Sequence, residues 1–365
     1  MPAPRPVVVV EDDPFPRLVQ VVLDPETPQA RREAFAHFFA HDVPDFDGWC
    51  ERLRGRLPRI HPATVRLVAD EAALLAAVPG ARVVVTESLR IGPREIAAAG
   101  GSLRVVQKYG TVLSNIDEAA CKAAGAIVLT LRRRANIACA EHALGLMLAL
   151  ARKIAATSGL VSIEQLRDAG YSPTQYDRTH TASANWARVT GIRTLYGKQL
   201  GIFGLGEIGR ELATRAAACG MRLVYTQRHA LSREEETRYE ARFVGLEELL
   251  STSDFVSLHL PATDATRGIV GARELALIKP GAILVNVSRP QLVERGALLE
   301  ALRSGRLGGV GLDPHYDAPG RPDDPLLAPD NVIVTPHIAA APRFNSLDDF
   351  EELLLGIDRT LREPA

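Results

Sequence analysis

The chain has 365 residues, more than one hydrophobic core organises and enough for two domains. Hydrophobic residues make up 46% and charged residues 24%, which excludes a disordered chain. Lys and Arg number 43 against 44 Asp and Glu, a net charge of −1 that excludes the broad basic surplus needed to bind nucleic acid by displacing counterions.

The first six residues hold three prolines and no apolar run of the kind a secretion signal needs. No stretch approaches the roughly 18 apolar residues of a bilayer span. Cys50, Cys121, Cys139 and Cys219 show neither metal-ligand spacing nor the density of a disulfide framework, so no metal is expected and the thiols read as reduced. A soluble, cytoplasmic protein follows as the expectation.

Short β-rich runs alternate with Ala/Leu/Arg-rich stretches of helical period, the pattern of an α/β protein with parallel sheets. Strands are expected at 7–10, 65–68, 82–86, 103–108 and 126–129, with helices at 71–78 and 93–99. Residues 24–62, rich in Pro, His, Phe and Asp, read as helix and loop without a definite assignment. A long helix is expected over 137–154, with Asn136 as N-cap and Leu144, Met147, Leu148 and Ala151 at helical spacing. Residues 155–195 turn polar and read as an irregular excursion. Strands at 200–203, 222–226, 255–258, 282–286, 309–312 and 332–335 then alternate with helices at 208–219, 246–250, 272–277 and 295–304. Val244 opens one more short strand.

The sharpest local signal is Gly204-Leu205-Gly206-Glu207-Ile208-Gly209, directly after one predicted strand and opening a helix. The first glycine makes the tight turn and the second lets the backbone approach a pyrophosphate at the helix N-terminus. The third permits close helix–strand packing. A dinucleotide fold next offers an acidic residue at the end of its second strand, to hold the ribose hydroxyls. Here that position reads Thr226-Gln227-Arg228-His229, with no carboxylate. A carboxylate repels a ribose 2′-phosphate and an arginine binds one, so Gln227 and Arg228 favour NADP(H) over NAD(H).

Four further segments end predicted strands on the same edge, where ligands bind in open parallel sheets. They contain His259, Leu260 and Pro261; Val287, Ser288 and Arg289; Asp313; and His337. One arginine, one aspartate and one histidine presented together form a candidate site.

These segments, with Gly110–Asp117 and Ala140-Glu141-His142, occur in the order of the D-isomer-specific 2-hydroxyacid dehydrogenase family, which the chain resembles from about Tyr109 to Ala340. The resemblance implies a two-lobed molecule: a Rossmann-type, doubly wound parallel-sheet domain (134–339) inserted in a smaller flavodoxin-like α/β substrate domain (1–133 and 340–365). It implies hydride transfer between a nicotinamide cofactor and a D-2-hydroxy acid or 2-keto acid, and a homodimer with 155–195 at the contact. Arg289 matches the arginine that grips the substrate carboxylate, His337 the general acid/base, and Asp313 the residue that contacts the nicotinamide carboxamide. Thr111, Val112 and Leu113 match the loop that holds the carboxylate through backbone groups. Glu141 and His142 are expected to make interlobe hydrogen bonds.

The chain departs from the family at one catalytic position. The glutamate that pairs with the histidine is replaced by Ala318, and the nearest carboxylate is Asp317, one residue early. On an extended segment a shift of one residue points to the opposite side, so Asp317 serves only if the loop bends. Three outcomes stay open: rescue by Asp317, a dehydrogenase with an acid-shifted optimum, or a dinucleotide-sensing, corepressor-like binding protein without turnover. Lys108 and Arg132-Arg133-Arg134 add positive charge near the substrate loop, able to attract a second acidic group on a substrate or simply to remain solvated.

Overall fold

Val7–Glu11 (β1) is four valines and a glutamate, and its valines face two ways. Val8 and Val10 pack with Val83, Val85 and Val105 in one core, while Val9 packs with Val84 and Val106 in another. A strand buried on both faces is apolar along its length, as a parallel sheet covered by crossover helices requires. The computed structural model describes residues 4–361. Residues 1–3 and 362–365, at the outer ends of the expected substrate domain, lie outside them.

β1 joins Thr64–Val68 (β2), Ala81–Thr86 (β3), Val105–Lys108 (β4) and Ile127–Leu129 (β5) in a five-stranded parallel sheet of order β2-β1-β3-β4-β5. This is the flavodoxin-like order. The interval left unassigned in the sequence forms helices Gln29–Phe39 and Phe46–Arg54. Pro28 precedes the first, and the Asp45 carboxylate caps the second by accepting from the Gly48 amide at 3.0 Å. Phe35, Phe39, Phe46 and Trp49 stack in series, and Phe39 and Phe46 are buried in the first core.

The second sheet contains Gln199–Phe203 (β6), Arg222–Thr226 (β7), Ala241–Phe243 (β8), Phe255–Leu258 (β9), Ala282–Asn286 (β10), Leu307–Leu312 (β11) and Val332–Val334 (β12). All pairs are parallel, in the order β12-β11-β10-β9-β6-β7-β8. Strand order reverses at β6, the Rossmann-type switch point. One face, with Ile202, Tyr225 and Val285, packs on Ala143 and Met147 of the helix Arg134–Ala151 and on Leu212 and Ala216 of Glu207–Ala218. The other, with Val224, Val256 and Leu284, packs on Leu249, Leu275 and Leu298. The short strand expected to open at Val244 ends just before it.

By internal packing the chain divides into two compact units, residues 1–136 with 340–365, and Ile137–Ala339. The long helix therefore begins in one unit and continues in the other. After it, helices Ile154–Thr157 and Ile163–Asp168 lead into turns and bends that hold no regular element until β6. None of the four cysteines is in a disulfide. Among the described residues no helix is long and apolar enough to cross a membrane.

In the first unit the edge beyond β1 and β3 is organised by the Glu11 carboxylate. It accepts from the Thr86 hydroxyl (2.8 Å), from the amides of Glu87 (2.7 Å), Ser88 (2.8 Å) and Leu89 (3.1 Å), and from the Ser88 hydroxyl. Burial works to raise its pKa, and the bonds from Ser88, Leu89 and Thr86 outweigh that, holding it below the ordinary glutamate value. The unfolded chain thus takes up this proton at higher pH than the folded one. The contribution is fully present above the unfolded value and is lost as pH falls through the folded one. Glu11→Ala orphans buried donors and is expected to lower stability by about 3 kcal/mol at neutral pH, with a smaller loss at acid pH, as read by denaturant unfolding.

Candidate active site

β6 delivers the chain into the glycine turn. Gly204 has φ 99, and a Cβ there would lie 2.7 Å from the His259 carbonyl oxygen. A Cβ on Gly209 would collide with the Gly204 carbonyl, whereas nothing lies within 4 Å of the Cβ position of Gly206. Two of the three glycines are therefore dictated by packing, and the space in front of Gly206 is open. Gly206 is also the N-cap of the twelve-residue helix Glu207–Ala218, whose first amides lack intrahelical partners. Ile208 is half-buried against the second unit's core. A pyrophosphate fits this cradle.

At the end of β7 the Gln227 side chain folds back on the turn. Its Oε1 accepts from the Leu205 amide at 3.1 Å, and its Nε2 donates to the His229 carbonyl at 2.8 Å. Arg228 is exposed and has no hydrogen-bond or ion-pair partner among the described residues. Beyond β9, Leu260 packs beside Gly204 and Pro261 is exposed. His259 Nε2 lies 2.8 Å from the Ser257 hydroxyl, and burial pushes its imidazole down to about 4, so it is neutral near pH 7.

Asn286, the last residue of β10, shapes the next loop. Its Oδ1 accepts from the Ser288 amide (3.0 Å), and its Nδ2 donates to the Arg289 carbonyl (2.8 Å). The Ser288 hydroxyl donates across the edge to the Leu258 carbonyl at 2.9 Å, and Val287 is buried. Clamped at both ends, the loop leaves the Arg289 side chain exposed, with one bond from Nη1 to the Ser288 carbonyl at 2.8 Å. Asn286 and Ser288 position the arginine. Asn286 went unremarked in the sequence, because an Asn ending a strand is not distinctive until its loop is seen.

His337 follows β12 and is exposed, with φ 59. That is the left-handed region, which costs a residue other than glycine of order 1–3 kcal/mol. Asp313, at the end of β11, is wholly buried, and both of its oxygens are used inside the protein. Oδ1 accepts from Thr335 Oγ1 (2.7 Å) and the Ile338 amide (2.9 Å), and Oδ2 from the Ala339 amide (2.8 Å). The expected contact of Asp313 with a nicotinamide carboxamide is corrected accordingly: it presents no surface to a ligand, because the loop bearing His337 closes over it.

Asp317 does not rescue the missing glutamate. Its carboxylate lies 3.7 Å from Arg295 Nη1, in a group where Arg295 Nη2 is 2.6 Å from Asp324 Oδ2 and His315 Nε2 is 3.0 Å from the same oxygen. No contact joins it to His337. Its ion-pair partner is Arg295, which also pairs with the buried Asp324. Ligand atoms of His315, Asp317 and Asp324 lie within 4.8 Å of one another, as a metal requires, but the guanidinium already supplies the cation. Glu141 pairs with Arg215 (3.1 Å) and His142 with Thr335 (2.9 Å), all four in the second unit.

In the first unit, the loop after β4 starts at Gly110, whose carbonyl accepts from the Leu131 amide at 2.8 Å. Thr111 is exposed, Val112 half-buried, and Leu113 packs on the core. Lys108 is buried. Its ammonium donates to Asn115 Oδ1 at 2.9 Å and to the Glu87 carbonyl, so it ties loops together rather than offering charge to a ligand. Arg133 pairs with Glu87 at 2.6 Å and lies over the Tyr109 ring, and Arg134 pairs with Asp349 (2.8 Å) and Glu352 (2.9 Å). Neither arginine is a free charge for a second acidic group.

Residues 144–339 match the family model described as D-isomer specific 2-hydroxyacid dehydrogenase, NAD binding domain. The chain is 34% identical over 272 residues to a D-3-phosphoglycerate dehydrogenase of Archaeoglobus fulgidus, covering 74% of this chain and 47% of that one. It is 34% identical over 311 residues to a hydroxypyruvate reductase of Thermotoga maritima, covering 84% and 92%. Among solved structures it is similar to a glyoxylate reductase from Paecilomyes thermophila, with TM-score 0.55, 25% identity and coverage of 100% and 96%. The chain spans about half the length of the phosphoglycerate dehydrogenases it matches.

The placement of Asp317 has a direct test. Asp317→Asn is expected to leave kcat for keto-acid reduction within about twofold of the wild type, because the carboxylate sits beside Arg295. A loss of about tenfold or more would mean that Asp317 serves the His337 imidazole.

Proposed function

This chain belongs to the D-isomer specific 2-hydroxyacid dehydrogenase family, and from that premise we propose that it reduces a 2-keto acid to the D-2-hydroxy acid, or runs the reverse oxidation. The reading is carried by one observation. Arg289 and His337 are exposed in the loops that leave β10 and β12 on the edge that holds the glycine turn, and only β11 separates those two strands.

A nicotinamide dinucleotide held by Gly204, Gly206, Glu207, Ile208 and Gly209 supplies the hydride. Arg289 binds the substrate carboxylate through its planar fork, a geometry lysine lacks. His337 gives a proton to the carbonyl oxygen as the hydride reaches the carbon, and takes it back in the reverse direction. Leu260, Pro261, Val287 and Ser288 line the cofactor's side of the edge. Thr111, Val112 and Leu113 are the substrate-binding loop proposed for the first unit, with Lys108 holding that loop. The domain of 1–133 and 340–365 is assigned to substrate and 134–339 to cofactor. With Asp317 beside Arg295, the imidazole works without a carboxylate partner. The binding-only alternative draws no support from relatives whose names are those of dehydrogenases and reductases.

The cofactor proposed is NADP(H) in preference to NAD(H), although the matching family model is described by NAD. Gln227 is neutral and engaged with the turn, and Arg228 is exposed and uncommitted. A homodimer in the cytoplasm completes the proposal. Ile154 (55% exposed), Val161 (78%) and Tyr196 (79%) leave apolar surface that a second copy would cover.

Arg289→Ala is expected to lower kcat/KM for keto-acid reduction about 10²- to 10³-fold. His337→Ala is expected to lower kcat about 10²- to 10⁴-fold while cofactor affinity, read by fluorescence, holds. Unchanged turnover in either variant removes that residue from the mechanism. Arg228→Ala should weaken NADPH about 10- to 100-fold and leave NADH nearly unaffected, whereas equal losses contradict a role at the 2′-phosphate.

A further inference from the structure

A left-handed backbone at a residue other than glycine persists only where its surroundings over-determine it. At His337 the surroundings converge on one carboxylate. Asp313 takes the Thr335 hydroxyl on one side of the histidine and the Ile338 and Ala339 amides on the other, at 2.7, 2.9 and 2.8 Å. The acceptor ends a strand paired on both sides, and its side chain has no solvent to turn into.

A further residue reaches this arrangement from a different element. His142 Nε2, on the long helix, lies 2.9 Å from Thr335 Oγ1. Thr335 has a single hydroxyl proton, which it gives to Asp313 Oδ1 at 2.7 Å or to the Leu312 carbonyl at 3.3 Å, both at the end of β11. The threonine oxygen can therefore only accept from the imidazole, which fixes His142 as the tautomer protonated at Nε2. The network runs in one direction, from His142 to Thr335 to Asp313. A helix that packs on the face of the sheet thereby takes hold of a loop on its edge.

We propose that His142, Thr335 and Asp313 are positioning residues for the proton donor: they hold the 335–339 segment so that the His337 imidazole stands outward at a fixed angle. None of the three touches substrate. The inference rests on the reading of His337 as general acid, and it moves Asp313 from cofactor recognition to support of the acid. A carboxylate is suited to this role because three donors converge on it. An amide in its place would present N–H groups to N–H groups on one side.

Hydrogen exchange on the full chain reads the holding directly and needs no turnover. In Thr335→Val the Ile338 and Ala339 amides should exchange about tenfold faster or more, and in Thr335→Ser, which keeps the hydroxyl, as in the wild type. Unchanged exchange in Thr335→Val overturns the proposal. In turnover with a 2-keto acid and NADPH, Thr335→Val and His142→Ala should lower kcat about 10- to 100-fold with the cofactor KM unchanged, and Thr335→Ser should restore it. In a His337→Ala background either substitution should leave the residual rate unchanged, because the network acts through that ring. An equal loss in that background overturns the proposal. A wild type without turnover that shows the expected exchange pattern supports the network and counts against the dehydrogenase reading alone.

Discussion

Parallel pairing sends every strand of a sheet out on the same edge, and the crossover helices close both faces, so a polar residue that must meet a ligand has one place to stand. The second unit obeys this throughout. Its glycine turn, Gln227, Ser288, Arg289, Asp313 and His337 all follow the last residues of parallel strands. The strands themselves are filled with valine, leucine and isoleucine on both sides. The site owes its position to the ladder and its precision to a few carboxylates and amides that fix the loops as they leave it.

Those fixing groups share one physical form. Glu11 and Asp313 are buried anionic side chains that gather several backbone amides and a hydroxyl, and the Asn286 amide does the same with one donor and one acceptor. A buried polar group without partners is costly, and one with every partner in place is rigid. Loops beyond a parallel sheet lack ladder bonds, and such side chains supply the substitute. The glutamine at 227 belongs with them, since its amide serves the glycine turn before any ligand arrives.

Charge near the functional loops is mostly spent on structure. Arg133 and Arg134 neutralise Glu87 and Asp349, Lys108 binds loop oxygens, and Arg295 collects Asp324 and Asp317. What distinguishes Arg228 and Arg289 from the other exposed arginines is their place: both follow strand ends on the edge that holds the glycine turn.

Much of this was legible in the residues. Alternating apolar runs gave the parallel sheets, because a doubly covered strand has no polar face to show. The glycine spacing gave the turn, because two of its positions admit no Cβ whatever the rest of the chain does. Helices over 29–39 and 46–54 were not legible, since the prolines that flank them, Pro25, Pro28 and Pro44, read as breaks and only the stacked aromatic rings reveal why they form. Residue order alone specified which groups sit at strand ends, as that depends on local periodicity. What each group then faces was decided by folding: that Asp317 turns to Arg295, that Asp313 lies under the His337 loop, and that His142 reaches Thr335 depend on contacts between elements distant in sequence, where orientation is set by competition among partners that no local pattern encodes.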